Sequence, residues 1–561
     1  RSIPMIDLLA EVCQRGISMT SQNTYSEAFW TEGFTADGAG WGHGKQCLIW
    51  GYPIDGTSNA LSILNLLKGT PWSKALNRDN AEAILNFLRG GSWYYYKGYR
   101  LPCLDRGSYV YNPMEQSIPY AKMLDNIVTN WIDSFTPEEQ KELQQLQVEV
   151  KKNRINMNNY VLGVYNGTRW FFNNDDLIKK TSDYHITVNM ASVRCDGLES
   201  AVNMADEYNF YPTDGLTLFQ RTGDEYFRIM GGWDVTASPG VTAREGMNKL
   251  TPVTNWRGYC SKYNYAVGTT DGGENAVTGY IFEKMNASDK KDVNDRGNSK
   301  GLNTLLYDFK AYKANFILGD YFVALGAGVT NAKPAMEGGI RTTIDQTAHI
   351  GAVTVIEKGK EKPLQEGRQS LITFEGQPVW VMQEGKFAYR VLPEFTRKAF
   401  VLTETCPTNW IKRNRGNAKK GDLPQTVDIL RLWVDHGQAS VNDTYGYVVY
   451  TGKGRPADTL PFQVLRNDTL VQAVRSVDGK LVGVVFYPGN KGLEVDNLSL
   501  SASSPCAVLI QKEKGKYKLS VTDACMNSAL KEITLVFNGR TVIVSMEQGM
   551  LSGKPSVIEI P

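Results

Sequence analysis

The stretch "ANFILGDYFVALGAGV", from Ala314 to Val329, decides what kind of fold occupies the middle of this 561-residue chain. Apolar and small residues fill both halves, and Gly319-Asp320 interrupts them at the centre. A glycine followed by a polar residue between two strand-like runs is typical of a tight hairpin turn. The stretch therefore predicts two antiparallel strands joined at Gly319-Asp320, within a larger sheet domain.

Strand-like patterns continue on both sides of this hairpin. Upstream, "DYHITVNMASV" (183–193) alternates apolar and polar residues, as a strand with one buried face does. Downstream, "QPVWVMQEGKFAYRVL" (377–392) reads as a second hairpin, and 429–437 and 445–452 add further strands. From about residue 460 the pattern predicts a compact all-β tail.

Before about residue 150 the apolar residues instead recur at helical spacing. The segment Thr136-Pro137-Glu138-Glu139 is a capping box with proline at the first helical position. We expect the charged run after it to be exposed and to bridge to the next domain. The other segments predicted as helices are 3–16, 58–72, 78–91 and 114–135.

Helices and strands are thus segregated along the chain, which indicates separate domains rather than an α/β fold. A chain of this length also exceeds what one core usually organises. We predict a multidomain α+β protein with a helical domain at 1–150, a large antiparallel β-sandwich domain at 151–455 and a small β-sandwich domain at 456–561.

Composition narrows the function classes. The formal net charge of +2 gives no overall field for nucleic acid, and no apolar run is long enough to span a membrane. The eight cysteines form no C-x-x-C pair, so we expect buried thiols rather than a zinc ribbon or a disulfide framework. The 12 Trp and 28 Tyr suit stacking on sugar rings, and equally suit β-sandwich cores.

The most unusual stretch for function is "DGAGWGHGKQCLIWGYPIDG", from Asp37 to Gly56. Its histidine, His43, precedes Tyr52 by nine residues in a glycine-rich setting. Taken alone, each of the two residues is more often structural than catalytic. Their joint spacing, together with further segments below, favours a functional pair.

Several segments in the same order resemble polysaccharide lyase family 8, the chondroitin, hyaluronate and xanthan lyases. The stretch 37–56 resembles the family's catalytic His and Tyr segment. The "WVDHG" histidine, His436, looks structural within this resemblance, and His185 and His349 receive no role. The other matching segments are "LDRGSYVYNP" (104–113), "VNMASVRCDGLES" (188–200), "GGWDVTASPGVTA" (231–243), "LWVDHGQASVNDTYGYVVYTG" (432–452) and "VLRNDTLVQAV" (464–474).

The resemblance implies a toroid-type (α/α) helical domain followed by two β-sandwich domains. It implies β-elimination next to a uronic acid, with chondroitin or dermatan sulfate as the leading substrate and hyaluronate or xanthan as alternatives. The residues that it implies are catalytic His43, Tyr52, Arg106 and Glu199, and substrate-binding Trp41, Trp50, Trp233, Asn203 and Asn112. For Trp233, core packing is an equal alternative.

Three departures from the family pattern accompany these matches. The family's catalytic Asn would fall before Arg1, Val110 replaces a second family arginine, and the helical part is shorter than the family's toroid. We therefore expect either that the chain is the C-terminal portion of a longer protein or that its toroid is incomplete. A catalytically silent carbohydrate-binding protein on the same scaffold remains an alternative.

The chemistry of elimination explains why these residue types belong together. The proton to be removed is α to a carboxylate, so the site must neutralise negative charge as an enolate develops. A tyrosine can remove that proton and protonate the leaving oxygen if a cation such as Arg106 favours its phenolate. His43 would contact the carboxylate or assist the base, and Glu199 would hold the cationic groups in place.

A hydrolase using paired carboxylates is the third function class.

We expect no required cofactor. Asp271 and Glu274 in "TDGGEN" (270–275) could hold a structural calcium ion, although a plain turn is the favoured interpretation. The expected partner is an acidic polysaccharide, with no nucleic acid and no membrane span, and we expect a monomer. Because the chain starts at Arg1 without a signal-peptide pattern, it is interpreted as a processed or trimmed product. The leading interpretation as a bacterial lyase implies a secreted or periplasmic protein.

Overall fold

A computed structural model describes residues 3–102, 104, 110–111, 118–152, 165–198, 214–246, 258–286, 309–364, 370–375 and 378–561. Within these ranges the order of elements is helices first, then a large assembly of sheets, then a smaller one. The segregation predicted from the sequence is therefore confirmed.

The described part of the helical region packs around one apolar core. Its helices are α1 (Ile3–Gly16), α2 (Tyr52–Leu66), α3 (Arg78–Gly91), α4 (Ile118–Asn130) and α5 (Pro137–Lys152). Two-residue strands lie between them: β1 (Met19–Thr20), β2 (Phe34–Thr35), β3 (Tyr95–Tyr96) and β4 (Tyr99–Arg100). Single 3₁₀ turns occupy Gln22–Thr24, Ser92–Tyr94 and Ile132–Ser134.

Two helix starts show why these segments fold as predicted. Before α3, Asn77 and Asn80 each accept a hydrogen bond from the other's backbone N–H. At α5, the Thr136 hydroxyl and the Glu139 carboxylate do the same across the predicted capping box. Such reciprocal bonds satisfy N–H groups that have no partner within the helix.

The expectation that α5 runs exposed is wrong. Its residues Leu143, Leu146 and Val150 are buried and join the same core as Leu124 and Ile127 of α4. The charged residues form only the outer side of the helix. The helix thus has an apolar face that packs on α4, as a surface helix of a globular domain usually does.

The central region contains four described sheets. Their strands and one short helix are β5 (Gly167–Phe171), β6 (Asp176–Lys180), β7 (His185–Met190), β8 (Asp214–Gln220), β9 (Thr242–Arg244), β10 (Tyr259–Ser261), β11 (Ala266–Thr270), β12 (Asn275–Phe282), β13 (Lys284–Asn286), β14 (Phe309–Leu318), β15 (Tyr321–Asn331), β16 (Ile340–Ala348), β17 (Val353–Glu357), β18 (Lys360–Pro363), β19 (Ser370–Glu375), β20 (Trp380–Gln383), β21 (Ala388–Val391), β22 (Lys398–Pro407), α6 (Trp410–Arg413), β23 (Thr426–Gly437) and β24 (Asp443–Tyr450). A 3₁₀ turn follows α6 at Arg415–Lys419.

These strands are antiparallel. Within the described residues the strand orders are β5-β6-β7-β8, β11-β12-β14-β15-β24-β21-β20-β17-β18, β19-β22-β23-β16-β9 and β10-β13. The predicted hairpin at Gly319-Asp320 is the β14–β15 pair, with Leu318 opposite Tyr321. The hairpin around Glu384-Gly385 is the β20–β21 pair.

The three larger central sheets share one apolar layer. It includes Ile186, Val188 and Met190, the alternate residues of β7 that the strand pattern predicts on one face. Strands β14 and β15 contribute residues such as Phe322 from the longest sheet. The opposite face of that sheet packs on the C-terminal region, for example through Phe316.

The C-terminal region is a second sandwich. Its strands are β25 (Phe462–Asn467), β26 (Val471–Ser476), β27 (Leu481–Phe486), β28 (Leu493–Val495), β29 (Leu498–Ala502), β30 (Cys506–Glu513), β31 (Lys516–Asp523), β32 (Glu532–Phe537), β33 (Arg540–Ser545) and β34 (Ser556–Ile560), with a 3₁₀ turn at Gly549–Leu551. They form the sheets β25-β26-β27-β30-β31-β34 and β28-β29-β32-β33, which enclose one apolar core.

The predicted domain limits can be placed on these elements. The limit at 455/456 lies between β24 and β25, and the limit at 150/151 lies in the last turn of α5. Buried polar contacts connect the helical region to the central sheets. Lys180 Nζ donates to Ser92 O at 2.9 Å, and Tyr94 donates to the Asp176 carboxylate at 2.8 Å.

Candidate functional site

His43 and Tyr52, predicted together from the sequence, are in direct contact. His43 Nε2 lies 2.5 Å from the Tyr52 hydroxyl oxygen, a hydrogen bond whose donor depends on the imidazole tautomer. The Tyr52 side chain is accessible, with 36% of the residue's surface exposed. An imidazole bonded to an accessible phenol can pass a proton to it or take one from it, which is the arrangement that general acid–base catalysis requires.

A tight turn presents the imidazole. His43 and Gly44 have φ values of 51° and 84°, so both residues have a left-handed backbone. The turn is closed by Gly42 N–H donating to Gln46 O at 3.1 Å. A left-handed backbone is unusual for a histidine, and such outliers cluster at functional sites.

The carboxylate of Glu32 holds this turn from outside. Gly44 N–H donates to Glu32 Oε1 at 2.9 Å. A backbone donor on a carboxylate makes a charge-assisted bond, which is stronger than a neutral one. The sequence pattern does not predict Glu32 as a site residue, because no motif marks a residue twelve positions before its partner Gly44.

The glycines of this stretch have a structural reason. A Cβ on Gly42 would lie 2.3 Å from Cδ2 of Tyr52, so the phenol ring rests directly on the backbone there. Tyr52 is also the first residue of α2, and Pro53 follows it in the first turn, where proline is favoured. The helix therefore begins six residues earlier than the pattern at Ser58 predicts, and this earlier start fixes the phenol beside the turn.

The same loop is anchored to the central sheets. The buried Asp37 carboxylate accepts a bond from Asn173 N–H at 2.7 Å, and Arg169 donates to Asp37 O at 2.6 Å. Gln46 pairs with Asp196 as an isolated bridge, and Asp196 N–H donates to Lys45 O at 3.1 Å. The His43 turn thus lies at the junction of the helical region and the central sheets.

Four predicted site residues lie outside the described residues: Arg106, Glu199, Asn203 and Asn112. The described part of the segment that leads to Glu199 ends at Leu198, and its residue Asp196 contacts the His43 loop as above. The roles predicted for these four residues stay predictions.

The three predicted substrate-binding tryptophans are buried, and their assignment is corrected here. Trp41, Trp50 and Trp233 expose 0%, 8% and 1% of their surfaces. Trp50 packs on Tyr95 with 4.1 Å between ring centroids, and Trp233 belongs to an apolar core of the central region. A pyranose stacks on an open ring face, so these rings serve packing in this structure, which is the alternative weighed for Trp233.

The histidine of the "WVDHG" segment is structural, as the sequence indicates. His436 Nδ1 lies 2.7 Å from Asp443 Oδ2, and Nε2 lies 2.9 Å from Thr342 Oγ1. Burial raises the pKa of the Asp443 carboxyl, but the hydrogen bond and charge of His436 outweigh burial and hold that pKa below its usual value. The imidazole joins β16, β23 and β24.

The buried His185 also has a packing role. Its Nε2 lies 2.9 Å from Trp93 O in the helical region. Burial lowers the pKa of His185 to about 3, so the ring is neutral near pH 7.

The turn at 270–275 connects β11 to β12, and its carboxylates have protein donors. Asp271 accepts bonds from Gly273 N–H, Asn275 and Gln511, and Glu274 accepts one from Lys179 at 3.0 Å. These contacts favour the plain-turn interpretation over a calcium site. In the part of the chain that the structure describes, no group of three or more His, Cys, Asp or Glu is arranged to hold a metal ion.

Comparison with known families identifies two regions. Residues 166–458 match the sequence model of "Polysaccharide lyase family 8, super-sandwich domain". Residues 463–530 match that of "Polysaccharide lyase family 8, C-terminal beta-sandwich domain". Helices α1 to α5 precede both regions. None of the described helices is both long and apolar enough to cross a membrane.

A curated relative and three solved structures are similar to the chain. Chondroitinase-AC of Pedobacter heparinus is 28% identical over 360 residues, which are 63% of this chain and 45% of that protein, so the chain spans less than half of this relative. A chondroitinase AC lyase studied as enzyme–oligosaccharide complexes is 22% identical with a TM-score of 0.73, covering 94% of this chain and 72% of that one.

The other two structures agree in fold. A Paenibacillus xanthan lyase is 17% identical with a TM-score of 0.72, covering 94% of this chain and 52% of that one. The chondroitin AC lyase of Streptomyces coelicolor A3, in complex with chondroitin sulphate, is 17% identical with a TM-score of 0.68, covering 94% and 71%. At these identities the structural similarity shows the fold alone.

Proposed function

Because the chain belongs to polysaccharide lyase family 8, we propose that the protein cleaves a uronic-acid-containing polysaccharide by β-elimination at His43 and Tyr52. Chondroitin or dermatan sulfate is the proposed substrate, supported by the similarity to Chondroitinase-AC. Hyaluronate and xanthan are the alternatives within the same reaction class, the latter because of the fold shared with a xanthan lyase.

The 2.5 Å hydrogen bond between His43 and the accessible Tyr52 hydroxyl carries this proposal. In the proposed step, the C5–H bond of the uronate breaks and its proton goes to the Tyr52 oxygen, which is a phenolate at that point. The electron pair forms the C4–C5 double bond, and the C4–O bond breaks. The leaving oxygen takes a proton from Tyr52, so one phenol acts first as base and then as acid.

His43 supports this transfer in two ways. As a hydrogen-bond acceptor it can take the phenol's proton and leave a phenolate; as a donor it stabilises that phenolate once formed. The charge that develops on the uronate carboxylate still needs neutralising. We assign that role to Arg106, with Glu199 orienting the cationic groups, and we assign Asn203 and Asn112 to substrate binding, all by the resemblance to the family.

We further propose that α1 to α5 form part of an (α/α) toroid. The shared fold with the lyase structures supports this. So does an apolar stripe on α1, where residues at helical spacing are exposed: Ile3, Met5, Leu8, Leu9 and Val12. An apolar stripe of this kind is the face on which another helix packs.

The same proposal places the protein outside the bacterial cytoplasm, secreted or periplasmic, where an acidic polysaccharide is available. It requires no cofactor, because His43 and Tyr52 supply both proton transfers. It also takes the active form to be a monomer, because each chain carries its own His43–Tyr52 pair.

One experiment separates elimination from hydrolysis and from silent binding. The protein is incubated with chondroitin sulfate, dermatan sulfate, hyaluronate and xanthan in ¹⁸O-labelled water, while ultraviolet absorbance is followed. Elimination raises the absorbance through the new double bond and incorporates no label, whereas hydrolysis incorporates label without absorbance. Binding without either change would contradict the proposed function and support a silent carbohydrate-binding protein.

A further inference from the structure

A cavity of about 570 Å³ lies where the helical region meets the central sheets. Tyr99 of β4 and Tyr111 contribute from the first part of the chain, and Phe227, His349 and Val427 contribute from the central region. Neither His43 nor Tyr52 lines it. Its volume lies within the range of small-ligand sites, and such sites are common at domain interfaces.

Aromatic rings form its walls and are held in place. Tyr99 and Phe227 are stacked, with centroids 6.1 Å apart and planes 27° apart. Tyr111 meets Trp410 edge to face at 4.9 Å, and its N–H donates to Asn417 Oδ1 at 2.8 Å. The rings are therefore preorganised, which lowers the entropy lost when a ligand binds.

Three polar tips in the cavity have no partner among the described residues. These are the hydroxyls of Tyr99 and Tyr111 and the imidazole of His349, whose backbone N–H is the group that bonds Asp428 O. A half-buried hydroxyl or imidazole that the described residues leave without a partner can bond a ligand. Amphipathic rings with free polar tips match the faces and hydroxyls of a sugar.

The charges argue against an acidic sugar at this place. Arg228 is engaged by Asp224 through a 2.5 Å ion pair, and Asp428 adds a further carboxylate. The lining residues therefore include two carboxylates, Asp224 and Asp428, and one guanidinium, Arg228, so a uronate carboxylate or a sulfate would be repelled. The apolar side chains Ile350 and Val427 instead suit a methyl group.

We propose that this cavity is a second saccharide-binding site that takes an uncharged acetamido sugar unit, separate from the His43–Tyr52 pair. The acetamido methyl would lie on the apolar side and the ring on the tyrosines. The choice of an acetamido sugar rests on the proposed function, since the glycosaminoglycans among the proposed substrates alternate such a sugar with a uronate, and this site would take the units that carry no sulfate. The site would hold one part of a polysaccharide while another part is cleaved.

The test uses monosaccharides, which contain no bond for the enzyme to cleave. Binding of methyl N-acetyl-β-D-galactosaminide and of methyl glucuronide to the full chain is titrated by saturation-transfer NMR. The variants are Tyr99→Phe and His349→Ala, which remove one polar tip each. Tyr517→Phe, on the half-buried Tyr517 of β31, is the matched control, and Tyr52→Phe reports on the proposed catalytic pair.

The acetamido sugar should bind better than the glucuronide. Its affinity should fall roughly threefold to tenfold in Tyr99→Phe and in His349→Ala, the effect of one lost hydrogen bond, and stay unchanged in Tyr517→Phe and Tyr52→Phe. The proposal would be overturned if the cavity variants bound the acetamido sugar as well as the wild type does. It would also be overturned if the wild type preferred the glucuronide, or if Tyr52→Phe lost the same affinity as the cavity variants. If the polysaccharides of the absorbance experiment give no elimination products while these affinities are intact, only the proposed function is contradicted.

Discussion

His43 and His436 make the same kind of contact in two different settings. One nitrogen of each imidazole lies within hydrogen-bond distance of a side-chain oxygen. His43 Nε2 contacts the Tyr52 hydroxyl, and His436 Nδ1 contacts the Asp443 carboxylate. His436 is enclosed between strands and has a second partner in Thr342. His43 instead sits on a left-handed turn beside an accessible phenol.

The difference shows how the surroundings decide the role of a histidine. The buried imidazole with both nitrogens bonded adds to stability, because removing it leaves unsatisfied groups inside the protein. The half-buried imidazole of His43 lies instead on a left-handed turn, beside the Tyr52 ring. The partner of His43 is the Tyr52 phenol, which can be ionised and is accessible to substrate. We therefore infer that His43 acts in proton transfer.

Replacing Tyr52 with phenylalanine should have the largest effect on activity. The Tyr52→Phe variant keeps the ring that packs on Gly42 but loses the transferable proton. The rate of elimination should fall by about 10²–10⁴-fold, measured by ultraviolet absorbance, with the melting temperature nearly unchanged. Turnover at the wild-type rate would show that the accessible pair is not the catalytic one.

The next largest effect is expected from replacing Arg106 and Glu199. These variants test whether the helical region and the central region contribute to one active site. Arg106→Ala should raise the pH at which kcat/KM climbs, because the phenolate loses a stabilising charge. Glu199→Ala should lower kcat/KM without that upward shift of the pH profile. The pair should be non-additive by about 0.5–3 kcal/mol in a double-mutant cycle.

That cycle has a clear negative result. If the losses add and neither pH profile moves, the two residues act independently. The proposal that Arg106 and Glu199 belong to one active site would then be wrong.

Replacing His436 should change stability and not chemistry. His436→Ala leaves Asp443 and Thr342 without this partner, so the free energy of unfolding should fall by about 1–3 kcal/mol. Urea denaturation measures that change. If His436→Ala lowered kcat of the folded protein and left its stability unchanged, His436 would have a catalytic role and the contrast with His43 would be wrong.

The pH dependence of this stability has a defined sign. Because the folded-state pKa of Asp443 is held below its usual value, its ionised form stabilises the fold above the unfolded carboxyl pKa of about 3.9. That contribution is lost as the pH falls through the folded-state pKa. The His436→Ala variant should show a shallower loss of stability over this acidic window.

The smallest expected effect is at Glu32, which orients His43 through Gly44. Glu32→Ala removes the acceptor of the Gly44 N–H and should lower kcat roughly threefold to tenfold with little change in KM. Glu32→Gln keeps a neutral acceptor and should restore most of the rate. Equal rates in Glu32→Ala and wild type would show that the turn holds its shape without this carboxylate.

Local sequence patterns predicted the helices and strands. They did not predict which side chains are buried, because burial depends on contacts between residues distant in sequence. The hairpin at Gly319-Asp320 depends on residues adjacent in sequence, and it was predicted correctly. The burial of Leu143 in α5 depends on α4, so the expectation of an exposed helix was wrong.

The candidate site divides in the same way. The nine-residue spacing from His43 to Tyr52 and the resemblance to a family predicted their pairing. The burial of Trp41 is set by tertiary contacts that composition does not encode. The contact of Glu32 with Gly44 joins residues twelve positions apart in an irregular segment, where no period predicts contact.

The claim that His43 and Tyr52 act as one unit is tested most directly by combining their substitutions. The kcat/KM of elimination is measured for His43→Ala, Tyr52→Phe and the double variant. If the imidazole works through the phenol, the double variant should be no slower than Tyr52→Phe alone, as for residues that act together. If the losses multiply in the double variant, the two residues act separately and the proposed pair is contradicted.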